Sequence, residues 1–265
     1  MSSILRFSFL MITSLLLSGC AASGYTTFYE GYFDPAEYKS EVRTLGENEE
    51  PEVFTSNNLE RDILVMRSRN YSVVGVSSFN GAYEDLANAK AQAKRVGAAI
   101  VLVTSAYTNT QTNSSTLFLP DNQTTYYSGS AYGSGGYATG SGTATTYGTK
   151  AVPITSTQRR YDQTAVYFVP HKKKPRFGFN AVPLTPAQRR DLDRNTGVLM
   201  EIIVEDSSFF YSNVLPGDVL IEFHGQPVRS VDELMGIVEQ VSQNAETVDI
   251  TVIRKGKEKE ISVQM

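Results

Sequence analysis

The segment LPGDVLIEFHGQPV, Leu215 to Val228, imposes two reversals of direction on either side of one short apolar strand. Pro216 and Gly217 supply the preset φ and the conformational freedom of a tight turn, and Gly225 permits the second turn a few residues later. Between them, Asp218 to Phe223 reads as a strand, with Val219, Ile221 and Phe223 expected on one face and Leu220 and Glu222 on the other. Turns packed this closely constrain the surrounding chain to a small, tightly wound sheet.

The order of signals around that segment extends the argument. From Pro175 onward come RFGF, an extended NAVPL, a polar helical stretch TPAQRRDLDRN, a strand GVLMEIIVE, an aromatic loop, LPGDVLIEF, HGQPV, a helix, and two strands, VDITVIRK and EKEISVQM. The helix SVDELMGIVEQV is expected to open with a capping box, Ser230 at the cap and Glu233 three residues on. Leu234, Ile237 and Val241 would face the core, and Val231, Met235 and Val238 share the neighbouring face. Residues 174–265 as a whole resemble a PDZ domain in the bacterial arrangement of HtrA-type proteases.

That resemblance implies binding of an extended C-terminal peptide as an added strand between a β-edge and a helix, with backbone amides holding the terminal carboxylate. Phe177, Gly178 and Phe179 match the family's carboxylate-binding loop. Gly178 would let the backbone approach closely, and Phe177 and Phe179 would border the pocket for the last side chain. Asn180, Ala181 and Val182 would offer the pairing edge, facing Val231, Met235 and Val238 across the groove. The apolar Val231 stands where some PDZ domains carry a histidine, which implies ligands with apolar side chains. Gly178→Glu is expected to weaken binding while leaving the domain folded. The segment DSSFFYSN, Asp206 to Asn213, departs from the family, with aromatics in place of a small-residue helix that would either obstruct or extend the groove.

The N-terminus is read separately. MSSILRFSFLMITSLLL has one basic residue, Arg6, and then an apolar run of roughly eleven residues, short of the ~20 that span a bilayer as a helix. Leu17, Ser18, Gly19 and Cys20 resemble the bacterial lipobox. The resemblance implies a signal peptide over residues 1–19, a diacylglyceryl thioether and further fatty acylation such as palmitate at Cys20. Each buried CH₂ adds about 0.8 kcal/mol to membrane affinity, so several acyl chains anchor firmly. Ala21, Ala22 and Ser23, with no Asp directly after the cysteine, resemble the sorting default for the outer membrane, facing the periplasm.

Residues 20–58 lack sustained periodicity and read as a tether with the option of an edge strand; the acidic Gly46 to Glu52 is a solvated linker face. A folded α/β unit is expected over 59–170. Asn70 to Gly81 is β-branched and ends at an Asn-Gly turn, Leu86, Ala89, Ala93 and Val96 recur at helical spacing before Gly97, and Ala99 to Thr110 begins as a buried strand. Gln158 to Val169 reads as a strand whose place is beside Ala99 to Ala106. The phrase AKAQAKRVGAAIVLV resembles a helix and strand of several small envelope α/β domains. The low-complexity stretch 124–149 is expected to be a mobile loop or a long, frayed hairpin tip. HKKKPR, His171 to Arg176, separates the two halves either as a solvated connector or as a contact for an anionic surface.

Composition excludes other chemistries. A net charge of −4 offers no global basic field for nucleic acid. One cysteine forms no internal disulfide and, with two histidines, no metal cluster of familiar spacing. YGSGGY echoes the surroundings of a trypsin-like serine, but both histidines, His171 and His224, follow Ser134, whereas that family's base precedes it. No catalytic residue, metal or cofactor is therefore expected. The fold class is α+β, a small α/β sandwich followed by a PDZ domain. The expected function is that of a lipid-anchored periplasmic protein recruiting protein C-termini or extended segments without catalysis of its own. The alternative is an assembly component of the envelope with a degenerate or intramolecular PDZ module.

Overall fold

The structure, a computed structural model, describes residues 22–265 apart from Glu47 and Gln243. The leader, the Leu17 to Cys20 motif and Ala21 lie outside the described residues. Two compact units result, one of residues up to Phe79, Glu84–Ala106 and Asp162–Met265, the other of Asn80–Tyr83 and Tyr107–Tyr161.

The chain opens with α1 (Gly24–Thr27), β1 (Tyr29–Gly31), β2 (Glu52–Thr55), α2 (Leu59–Ser68), β3 (Tyr71–Gly81), α3 (Leu86–Arg95) and β4 (Ile100–Pro120). After β5 (Gln123–Gly133) and β6 (Gly136–Thr146) comes β7 (Thr149–Pro170). A five-stranded sheet forms in the order β1-β3-β7-β4-β2, so β7 does lie beside β4. Both faces of this sheet are covered. Ala165, Tyr167 and Val169 join Ala89 and Ala93 of α3 in one cluster, while Val166 and Phe168 join Met66 of α2 in another. The alanines of α3 let the helix lie close to the sheet, and Gly97, at φ 71°, follows its end.

Within the expected tether the edge-strand option is taken twice, at both margins of this sheet. β1 pairs antiparallel with β3, and β2 pairs parallel with β4 from Glu52↔Ile100 to Thr55↔Val103. Tyr25 is fully buried and Ser77 Oγ donates to its carbonyl at 2.6 Å. Isolated apolar residues anchor this segment at separate points: Tyr25 against α3 and β3, and Val42 by a bridge to His171. Such an arrangement leaves no periodicity for a sequence reading to detect.

The remaining elements are β8 (Phe179–Pro183), α4 (Pro186–Asp191), β9 (Val198–Ile203), α5 (Ser208–Tyr211), β10 (Val219–Phe223), β11 (Gln226–Pro227), α6 (Val231–Gln240), β12 (Thr247–Arg254) and β13 (Lys257–Gln264). Their sheet runs β13-β12-β10-β9-β8, with β11 on β10. Leu234, Ile237 and Val241 are buried in its core, as the helical spacing requires. The strand of the opening segment departs from simple alternation. A bulge between Leu220 and Glu222 lets both Leu220 and Phe223 enter the main core, while Val219 and Ile221 pack with Leu184 and Ile253 in a satellite cluster. At α6 only half of the expected capping box forms. Ser230 Oγ accepts from Glu233 N–H at 3.2 Å, but the Glu233 carboxylate takes Arg229 N–H at 2.8 Å. The reciprocal box stands at α4, between Thr185 and Gln188.

Both turns of the opening segment have identifiable locks. Asp218, 2% exposed, accepts a two-pronged bond from Arg254, Nε to Oδ1 at 2.7 Å and Nη2 to Oδ2 at 2.6 Å, and also takes Leu215 N–H at 2.9 Å. His224 and Gly225, at φ 52° and 73°, form the paired left-handed positions of a two-residue hairpin turn.

The second unit is a β-ribbon. β5 and β6 pair without a bulge from Gln123↔Thr146 to Gly133↔Gly136, and Asp121 N–H donates to Gly148 C=O at 2.8 Å just beyond that ladder. Thr and Tyr favour the extended backbone, and Ser134 and Gly135 make the turn. Of the two expectations for the low-complexity stretch the structure shows the hairpin, paired from Gln123↔Thr146 to Gly133↔Gly136.

Candidate functional site

Among the described residues neither outer strand of the C-terminal sheet, β8 or β13, has a further strand beside it. β8 pairs antiparallel with β9 on its inner side, and among the described residues no strand lies on its outer side. α6 approaches β8 from across the core. The C-terminal tail does not fill this position, since β13 pairs with β12 at the far edge and Met265 N–H donates to Glu246 C=O.

The backbone just before β8 is arranged for a donor role. Gly178 sits at φ 70°, a conformation open to glycine, and its carbonyl accepts from Val204 N–H at 2.7 Å. Phe177 C=O accepts from Phe209 N–H at 3.2 Å. With both carbonyls engaged, the N–H groups of Phe177 and Gly178 donate to nothing among the described residues. Phe179 pairs with Ile203 inside a ladder whose bond runs from Val204 to Gly178, which turns the N–H and C=O of Phe179 away from β9 toward the open edge.

The side chains divide by role. Phe177, 4% exposed, packs into the core with ring centroids 5.7 Å from Phe209 and 5.2 Å from Phe223, so it anchors the loop from beneath. Phe179 stacks on Phe209 at 5.1 Å and remains half-buried. Ala181 is also half-buried against the core, and Val182, likewise half-buried, pairs with Leu199. Asn180 turns its amide to Glu201 at 2.9 Å, and Glu201 lies 3.7 Å from the Arg67 guanidinium at the end of α2. On the helix, Val231 and Val238 are half-buried against the core and Met235 is 45% exposed. The groove is thus apolar along Phe179, Ala181, Val231, Met235 and Val238, with bare amides at one end.

The aromatic segment expected to obstruct or extend the groove is one helical turn. Phe209 is fully buried, bracing Phe177, Phe179 and Phe223, whereas Phe210 and Tyr211 are exposed. Asp206 accepts from Lys174 Nζ at 2.6 Å and from the Tyr211 hydroxyl at 3.1 Å, which hold its carboxyl below the ordinary range. Gly178→Glu no longer serves as a clean probe. A Cβ at Gly178 would stand 2.1 Å from Ser207 Cβ and 2.5 Å from Ser207 Oγ, so any side chain there displaces the loop itself.

Two residues missed in the sequence support the site. Arg176 donates to the Val241 and Ser242 carbonyls at 3.1 and 2.5 Å, capping the end of α6 while its guanidinium lies 5.3 Å from the Phe177 ring centroid. Ser207 caps α5 by accepting from Phe210 N–H and fills the space that glycine leaves at 178. The opening RFGF carried that signal, an arginine beside a glycine loop, but the partners lie far along the chain.

Elsewhere, Ser72 Oγ and His171 Nε2 stand 2.6 Å apart. No described carboxylate hydrogen-bonds to the other ring nitrogen, and the pair joins β3 to the residue bridged with Val42. Among the described residues no group of His, Cys, Asp and Glu could hold a metal ion.

Comparison with known proteins agrees with the C-terminal geometry. Residues 175–265 match the PDZ domain family. A curated relative from Marinomonas sp. (strain MWYL1), a probable periplasmic serine endoprotease DegP-like, is 38% identical over 79 residues, which is 30% of this chain and 17% of the relative. The chain therefore spans about a sixth of that relative's length. Among solved structures, the HtrA3 PDZ domain bound to a phage-derived ligand is similar at 17% identity and TM-score 0.29, covering 33% of this chain and 81% of that one. The PDZ domain of EpsC from Vibrio cholerae is similar at 15% identity and TM-score 0.27, covering 35% of this chain and all of the other. Residues 175–265 of this chain form a PDZ domain.

Proposed function

We propose that this chain is a lipid-anchored envelope protein whose PDZ domain captures C-terminal or extended segments of other envelope proteins and performs no catalysis of its own. The observation that carries the reading is the unpartnered outer edge of β8, with the unengaged N–H groups of Phe177 and Gly178 at its start. A ligand strand would bond to the outward groups of Phe179, direct its terminal carboxylate to those amides, and lay apolar side chains against Met235 and Val238. The apolar Val231 favours an aliphatic or aromatic side chain over a hydroxyl. The description of the curated relative as periplasmic supports an envelope location, and Cys20, outside the described residues, is the proposed site of acylation.

Binding of the full chain to a library of immobilised peptides, half ending in a free carboxylate and half amidated, tests the reading. Apolar peptides with free C-termini are expected to bind, and Met235→Lys is expected to weaken them. A folded chain that binds none of them, or binds amidated and free forms alike with no effect of Met235→Lys, refutes it. For the anchor, Cys20→Ala is expected to move the protein from the membrane to the soluble fraction.

A further inference from the structure

The β5–β6 hairpin has regular pairing and almost no burial. Every residue of both strands is exposed except Gly142, which is half-buried. An isolated two-stranded hairpin is marginal in water, and a third strand or a packed face is normally needed. Among the described residues neither is present, since this sheet has two strands. Each strand is 11 residues long and pairs on one side, leaving outward N–H and C=O groups along both margins. Proteins commonly protect such margins with charge, proline or a bulge. From Asn122 to Thr149 there is no charged residue and no proline, and the β5–β6 register has no shift.

We infer that the hairpin is an assembly surface for further copies of this chain, adding edge to edge. Charge and direction both fit this occupant. In the hairpin β5 and β6 run antiparallel, so β6 of one copy beside β5 of the next continues a uniformly antiparallel sheet, and the same contact repeats from copy to copy. Identical segments approach without repulsion because neither margin carries charge. From Gly129 to Gly133 the cross-strand pairs also make one face flat, with Gly129, Ala131 and Gly133 opposite Gly140, Ala138 and Gly136, while Tyr127 lies over Gly142 on the same face. The other face carries exposed Tyr126, Tyr132 and Tyr137, the last two with ring centroids 5.9 Å apart. Ring closure of the assembly removes the bare margins altogether.

The test uses charge exchange in the full chain. A triple variant, Thr125→Lys, Ala131→Lys and Gly140→Lys, places charge on the same face of both strands opposite uncharged partners, and a side chain at Gly140 meets open space; its counterpart carries Glu at the same positions. Sedimentation is expected to show a multi-copy species for the unaltered chain and the single-chain mass for each variant alone. Mixed one to one, the Lys and Glu variants are expected to associate again, an outcome that general damage to the fold cannot produce. A single-chain mass for the unaltered protein overturns the inference, whether or not it binds phosphatidylglycerol vesicles. Continued association of each variant alone, or failure of the mixture to associate, overturns it as well.

Discussion

The PDZ region and the β5–β6 ribbon are both built from short extended segments, yet they are stabilised in opposite ways. In the first, β9, β10 and β12 each contribute side chains to one core that includes Phe177, Phe209, Phe223 and Leu234. In the second, the backbone ladder is complete and the side chains meet mostly solvent. Hydrogen bonds contribute only about 0.5–1.5 kcal/mol net each because water competes for the same groups, whereas a fully buried large apolar side chain contributes about 1.5–3 kcal/mol. Regular strand pairing and a stable sheet are therefore separable, and this chain contains an instance of each.

Substitutions sharpen that contrast. Phe209→Ala, at a fully buried ring braced by three others, is expected to destabilise the PDZ region by about 4 kcal/mol in chemical denaturation and to abolish peptide binding, since Phe179 loses its stacking partner. Asp218→Ala leaves the Arg254 guanidinium without its carboxylate and should cost about 3 kcal/mol by the same measurement. Met235→Lys is expected to lower apolar peptide affinity about tenfold, or ~1.4 kcal/mol, without a change in melting temperature. Tyr132→Ala, 88% exposed in the ribbon, should alter monomer stability by less than about 0.5 kcal/mol. A Tyr132→Ala effect on the dilute, single-chain protein as large as that of Phe209→Ala would erase the distinction between the two regions.

Much of this architecture was legible because its signals are local and periodic. The Leu86, Ala89, Ala93 spacing specified α3 and its buried face, and the order RFGF, PGD and HG with its helix specified the C-terminal fold. Long-range and irregular features escaped the same reading. Tyr25 and Val42 tie an apparently structureless segment to the sheet through isolated contacts, and α2 has only Met66 fully buried. Of the groove, the loop at Gly178 and the helix face at Val231, Met235 and Val238 could be read from sequence. The inward turn of Phe177 could not, because it depends on Phe209 and Phe223 arriving from other elements. The hairpin was one of two readings of the low-complexity stretch, and composition alone had no means to choose between them.

By itself the amino-acid order determined where the backbone must turn, which residues share a face of a helix, and which stretch has too little apolar surface for a core. Those properties depend on neighbours a few positions apart. Tertiary structure alone decided that Phe177 turns into the core, that Ser207 occupies the space beside Gly178, and that Tyr29–Gly31 pairs with β3 while Glu52–Thr55 pairs with β4. Each of these rests on contacts between distant segments, whose free energy exists only once the packed state has brought them together.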